Sequence, residues 1–148
     1  MTITWSEKIN DDLLENDLLK FYIANDKNFT PPLSEQVSIP EYIEKIKNNA
    51  VCFEARDRKV LIGLIAAYFN NNDTGFITSV ITIPNYQGRG IAQQLLQNCF
   101  SYAKKSNFKK IELEVFKHNT PAISLYKKNG FSITGENENQ FKMEKIVK

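Results

Sequence analysis

The hydrophobic pattern of this chain changes period sharply at a glycine-rich junction. Before it, Val51 to Ala55, Val60 to Phe69 and Phe76 to Ile83 are apolar, β-branched runs without helical spacing. The charged turn Arg56-Asp57-Arg58-Lys59 separates the first two, and Asn70 to Gly75 the second from the third, so they read as a meander of strands. Pro84 ends the third run. Beyond it Ile91, Ala92, Leu95, Leu96, Cys99, Phe100 and Ala103 recur at helical spacing and predict a helix from about Gly90 to Ser106. Ile111 to Phe116 is strand-like again. Pro121 to Lys128 predicts a further helix, with Thr120 as N-cap, proline in the first turn and Gly130 just past the end. Phe131 to Thr134 and Gln140 to Lys145 then read as two strands around a polar turn, Gly135 to Asn139. A meander followed by helix–strand alternation calls for a mixed sheet with helices laid on it.

The N-terminal third supplies the first elements. Thr2 to Ser6 reads as a short strand. Leu13, Leu14, Leu18, Leu19, Tyr22 and Ile23 predict an amphipathic helix over Asn10 to Asn25. Asp26 to Val37 carries Pro31-Pro32 and reads as a loop. Ser38 with Glu41 three residues later is a capping-box pattern, opening a helix whose apolar face is Tyr42, Ile43 and Ile46. The order is β-α-α-β-β-β-α-β-α-β-β, an α/β domain, and 148 residues suit one domain over 1–148.

Charge narrows the partners. The 19 Lys+Arg against 17 Asp+Glu leave a formal net charge of +2, which gives no case for nucleic acid or a membrane surface. Val60 to Phe69, the longest apolar stretch, is too short to span a bilayer. The opening MTITWSEKIN has no apolar signal core, so a cytoplasmic location is expected. Cys52 and Cys99 lie in apolar patterns and read as reduced core residues. With one histidine, His118, and no Cys/His cluster, no metal site is expected.

The junction itself is Gln87-Gly88-Arg89-Gly90-Ile91-Ala92, between a strand and a helix. Gly88 and Gly90 permit a tight turn and close approach of the backbone to a ligand. The following helix offers unpaired N–H groups and the positive end of its dipole, which suits a pyrophosphate. The segment lacks the Lys-Ser/Thr of a P-loop and the third glycine of a dinucleotide fingerprint. On these six residues alone a plain glycine-rich connection would look the same.

A second constellation, Leu113-Glu114-Val115, Asn119, Ala122, Leu125-Tyr126 and Gly130-Phe131, breaks the tie. Together the two motifs resemble the GCN5-related N-acetyltransferase (GNAT) superfamily. Gln87, Gly90 and Ala92 match its Q-x-x-G-x-A loop, and Glu114 to Phe131 matches its C-terminal run. The resemblance implies a mixed central β-sheet flanked by helices, with acetyl-CoA as cosubstrate and no metal. It implies a strand splayed from its neighbour by a bulge, pairing with the pantetheine arm around Ile81, Thr82 and Ile83. Gln87, Gly88, Arg89, Gly90, Ile91 and Ala92 would hold the pyrophosphate, and Asn119 the amide arm. Tyr126 would face the thioester sulfur; a phenol is a neutral donor at pH 7 and can protonate a departing thiolate. Glu114 would be the base that frees the acceptor amine of its proton. A core tyrosine, a capping Asn119 and a structural strand glutamate are the plainer alternatives. His118 reads as a surface residue.

The expected reaction is direct attack by a primary amine in a ternary complex. In this fold the first two helices shape the acceptor pocket, here through Tyr22, Phe29 and Tyr42. The stretch Phe29 to Ser34 is similar to one in GNATs of surface-polysaccharide gene clusters, which suggests a nucleotide-linked amino sugar. A protein or peptide N-terminus or lysine is an alternative acceptor, and a non-catalytic acyl-CoA-binding domain an alternative function. A monomer and a homodimer both fit.

Overall fold

The computed structural model describes residues 2–9 and 15–148. The strands are β1 (Ile3–Ile9), β2 (Ala50–Asp57), β3 (Val60–Tyr68), β4 (Thr74–Thr82), β5 (Lys110–Phe116), β6 (Ser132–Glu136) and β7 (Gln140–Ile146). The helices are α1 (Glu15–Ala24), α2 (Leu33–Gln36), α3 (Ile39–Asn49), α4 (Ile91–Lys105) and α5 (Thr120–Lys128). One seven-stranded sheet runs in the order β1-β2-β3-β4-β5-β7-β6. Its neighbours pair antiparallel except β4 and β5, which pair parallel across the α4 connection.

Both faces of the sheet are covered, which explains why β2 and β3 read as nearly continuous apolar runs. On one face Leu95, Leu96, Cys99 and Ala103 of α4, with Tyr126 of α5, pack on Phe53, Ile65, Ala67, Ile111 and Leu113. On the other, Leu18, Phe21 and Tyr22 of α1 and Ile43 and Ile46 of α3 pack on Cys52, Leu64 and Ala66. Among the described residues no helix is long and apolar enough to cross a membrane.

Several local expectations are corrected. Leu13 and Leu14 fall outside the described residues. The buried stripe of α1 is Leu18, Phe21 and Tyr22, while Ile23 is exposed. The segment expected as a loop, Asp26 to Val37, contains a 3-10 turn (Asp26–Asn28) and the short α2. No periodicity announces them; Asp26 holds them by accepting bonds from the Ser34 backbone N–H (2.7 Å) and hydroxyl (2.6 Å). Ser38 is the N-cap of α3 but makes no side-chain cap bond. Pro40 stands at the second helical position and removes one of the two N–H groups a serine cap can use. The N-cap of α5 is Asn119, not Thr120; Asn119 Oδ1 accepts from the Ala122 N–H at 3.4 Å. The first hairpin turn is only Arg58-Lys59, both at positive φ (51° and 72°), as a two-residue connection requires. Gly75 lies inside β4, where a Cβ would meet the Phe69 ring at 2.5 Å.

The feature that positions the site is a bulge in β4. Ala66 pairs with Ser79 and Ala67 with Ile77, so Thr78 is an extra residue. Two tyrosines hold it. The Tyr42 hydroxyl donates to the Thr78 carbonyl (2.9 Å), with Thr78 Oγ1 2.7 Å away, and the buried Tyr22 hydroxyl shares a 2.5 Å hydrogen bond with Ser79 Oγ. Tyr22→Phe strands the buried Ser79 hydroxyl and should lower stability by about 1–3 kcal/mol. Urea unfolding checks this: the midpoint should fall with an unchanged slope.

Candidate active site

The parallel pair β4–β5 lasts three residues, Thr74 to Phe76 against Lys110 to Glu112. Beyond it the strands part, and a cleft of about 1010 Å³ is lined by both of them, the start of α4, α5 and the 28–37 segment.

At one end is the glycine loop. Gly88 and Gly90 adopt φ of 78° and 80°, the left-handed region where side chains are strained. A Cβ at either would meet nothing within 4 Å, so the space over the loop is open. Gly90 caps α4 without a side-chain bond, and its carbonyl accepts from Gln94. The N–H groups of Ile91, Ala92 and Gln93 have no backbone acceptor among the described residues. They form the anion-binding end of a helix. Gln87 folds back, donating from Nε2 to the Thr82 carbonyl at 3.0 Å. Arg89 does not line the cleft; its guanidinium lies 5.1 Å from the Tyr86 ring centroid. Tyr86 in turn donates to Asp57 Oδ2 at 2.5 Å, so the loop is braced on the end of β2. The carboxylate pushes the Tyr86 phenol up from its ordinary value. Of the described lysines, Lys128 alone lines the cleft.

The β4 wall differs from the expected Ile81-Thr82-Ile83 triplet. Ile83 N–H bonds Ile62 C=O at 2.9 Å, and Leu64 pairs with Ile81. An antiparallel ladder turns alternate residues toward the partner, so Ile81 and Ile83 spend their backbone groups on β3. Val80 and Thr82 turn theirs toward the gap, and both line the cleft. Thr82 Oγ1 is buried there without a hydrogen-bond partner. Gln87 occupies the Thr82 carbonyl, but the remaining gap-facing groups of Val80 and Thr82, with the free donors and open space above the glycines, fit the amide arm and pyrophosphate of an acyl-CoA.

Midway along the cleft lie Asn119, Tyr126 and Glu114. Asn119 uses Oδ1 for its cap and keeps its amide N–H groups unspent. Tyr126 is 8% exposed, with its ring 5.7 Å from Phe131, and its hydroxyl bonds no described residue. Burial pushes its phenol well above the usual value near 10. Glu114 is exposed, on the face of β5 opposite Leu113 and Val115, across from Lys142. Lys142 points its charge at Glu112 (3.3 Å).

At the other end stand Phe29 and Tyr42, as expected of an acceptor wall. Tyr22 is a correction: it is fully buried between Phe21, Phe29 and Tyr42 and does not reach the cleft. The wall includes Leu33, from the expected Phe29 to Ser34 stretch, and residues that the sequence reading missed, chiefly Val37, Phe76 and Phe116. Phe76 and Phe116 carry a signal, since they alternate with core-facing Ile77 and Val115; the others carry none. His118 lies outside the lining, its ring 6.0 Å from Phe116. Both cysteines are buried away from the cleft, and burial pushes the thiols up, Cys52 to about 12 and Cys99 further. Among the described residues no three His, Cys, Asp or Glu side chains gather where a metal could bind.

The sequence profile of the Acetyltransferase (GNAT) family matches residues 14–131, and the chain belongs to that family. It is similar to streptothricin acetyltransferase of Escherichia coli, 29% identical over 59% of this chain and 50% of that one. Spermidine N(1)-acetyltransferase of Escherichia coli K12 is 38% identical over 42% of this chain and 34% of its own. The chain thus matches half or less of the length of these curated relatives. The crystal structure of the PaiA N-acetyltransferase of Thermoplasma acidophilum with coenzyme A has the same fold: TM-score 0.79, 22% identity, 99% of each chain covered.

Gly90→Val should strain the left-handed position by about 1–3 kcal/mol and fill the space over the helix end. Acetyl-CoA affinity should fall at least about tenfold, about 1.4 kcal/mol, in a protein that still folds. Calorimetry showing unchanged affinity in the folded variant would count against the loop as the phosphate site.

Proposed function

We propose that this chain, as one acetyltransferase domain, moves an acetyl group from acetyl-CoA to a primary amine of a small molecule, by direct attack in a ternary complex. The observation that carries this is a single cleft. It joins the free N–H groups of α4, the unbonded Tyr126 hydroxyl and the Glu114 carboxylate. Family membership and acetyltransferase relatives support it.

Each group has a share in the step. The α4 N–H groups hold the pyrophosphate, Val80, Thr82 and Asn119 align the amide arm, and Glu114 takes the proton of the incoming ammonium, directly or through a water. The amine nitrogen then bonds the thioester carbonyl carbon and gives its second proton to water as the carbon–sulfur bond breaks. Tyr126 gives its proton to the leaving thiolate and recovers one from solvent. The two cysteines are buried with raised thiol values, so neither serves as a covalent relay. A domain that only bound acyl-CoA would need neither Glu114 nor Tyr126.

The nucleotide-linked amino sugar suggested by Phe29 to Ser34 would bring a diphosphate. Among the described residues the one cation lining the cleft is Lys128, on the last turn of α5. The acceptor is therefore proposed only as a primary amine, with a nucleotide-linked amino sugar and a peptide N-terminus among those to assay. The test is CoA release with purified protein, acetyl-CoA and mixed amines. Binding of acetyl-CoA with no amine-dependent release would identify a binder instead.

Tyr126→Phe keeps the ring and removes the donor. Turnover should fall about 10²–10⁴-fold, the range for a lost general acid, with acetyl-CoA affinity unchanged. Because burial raises the phenol, wild-type Tyr126 stays protonated and its step should hold its rate to at least about pH 10. Near-normal turnover in the variant, with chemistry rate-limiting, would make Tyr126 a packing residue.

Glu114→Gln keeps size but cannot accept a proton. Turnover at neutral pH should drop and recover in part at high pH, where more amine is already neutral. Overlaid pH–rate profiles, with only the melting temperature changed, would make Glu114 a scaffold residue.

A further inference from the structure

The acceptor end of the cleft is polar in composition but not in what it offers. Asn28 gives its amide to Asn25 Oδ1 (2.8 Å), and Gln36 gives its amide to the Pro31 carbonyl (2.6 Å). Tyr42 is bonded to Thr78, and Ser79 to Tyr22. These bonds run into the protein, Tyr22 acting from behind the wall, while the Thr30 hydroxyl and the amide oxygens of Asn28 and Gln36 bond no described residue. Between them the surface belongs to Phe29, Leu33, Val37, Phe76 and Phe116. Among the described residues Glu114 is the one acidic side chain in the cleft lining. Its neighbour on the same face, Glu112, is taken by Lys110 and Lys142 at 3.5 and 3.3 Å.

Such a wall discriminates by desolvation. A hydroxyl-rich sugar would lose water along it and find few partners, and each unmet group weakens binding. A second ammonium would leave water with no second carboxylate to meet. A diphosphate would find Lys128 alone of the described lysines and arginines in the lining. An alkyl or aryl body would bury apolar surface against the phenylalanines, and one ammonium would meet Glu114.

We infer that the acceptor is a primary monoamine carried on an apolar body, its single ammonium held by Glu114 and its body by Phe29, Val37, Phe76 and Phe116. This rests on the acetyl-transfer reading above. The experiment measures kcat/KM with saturating acetyl-CoA for 2-phenylethylamine, hexylamine, spermidine, a uridine-diphosphate-linked amino sugar and a short peptide with a free N-terminal alanine. The monoamines should lead by at least about tenfold, a difference of about 1.4 kcal/mol. A higher value for spermidine, the amino sugar or the peptide overturns the inference and leaves acetyl transfer standing. Bound acetyl-CoA with none of the five acetylated overturns acetyl transfer itself, and the inference with it. Val37→Asp, at an exposed position, adds a second carboxylate to the wall. It should shift the ratio of 1,6-diaminohexane to hexylamine by at least about tenfold toward the diamine. An unchanged ratio in the folded variant shows that this wall does not meet the acceptor and overturns the inference.

Discussion

A parallel strand pair that lets go after three residues governs the rest of this molecule. Past Phe76, the β4 backbone has β3 on one side and no strand on the other. A central strand rarely leaves its polar groups unpaired, because each buried orphan costs free energy comparable to a lost hydrogen bond. The sheet tolerates the opening because water or a ligand can reach it. The same divergence clears room for the first turn of α4 to present its free N–H groups beside the gap.

The opening is held from behind. Thr78 breaks the alternation of β4, so Ile77 faces the α4 core while Ser79 faces the α1–α3 core. That inversion would leave hydroxyls among apolar neighbours were they not bonded to Tyr22 and Tyr42. The two tyrosines stand edge to face, 5.7 Å apart, and Phe29 stacks on Tyr22 at 6.3 Å. The Phe29–Tyr42 wall of the cleft and the bulged strand β4 therefore share one aromatic support.

Much of this was written in the sequence. The change of period at Pro84, the glycines and the run from Glu114 to Phe131 gave the sheet, its helices and the cleft-lining Asn119, Tyr126 and Glu114. What stayed hidden depends on register. A run such as Phe76 to Ile83 does not disclose an extra residue, so the expected β4 contacts included Ile81 and Ile83, whose backbones serve β3. Tyr22 fits a helical stripe equally well as a pocket residue or as a buried one, and packing decided for burial. The α2 turn depends on Asp26 reaching Ser34, eight residues away, which no local pattern records. Asn119 and Thr120 are both good N-caps, and the chain used the first.

The stack of Arg89 on Tyr86, with Tyr86 bonded to Asp57, has a kinetic meaning. A phosphate-binding loop that orders only on contact gives up chain entropy at that moment, and its complexes are correspondingly weaker. Here the loop is tethered to the rim of β2, three strands' width from β5, before any ligand arrives. An anion that meets the loop would then dock on a finished surface rather than have one fold around it. The tether lies outside the cleft, so the residence time of a nucleotide could be tuned there without altering an atom that touches it.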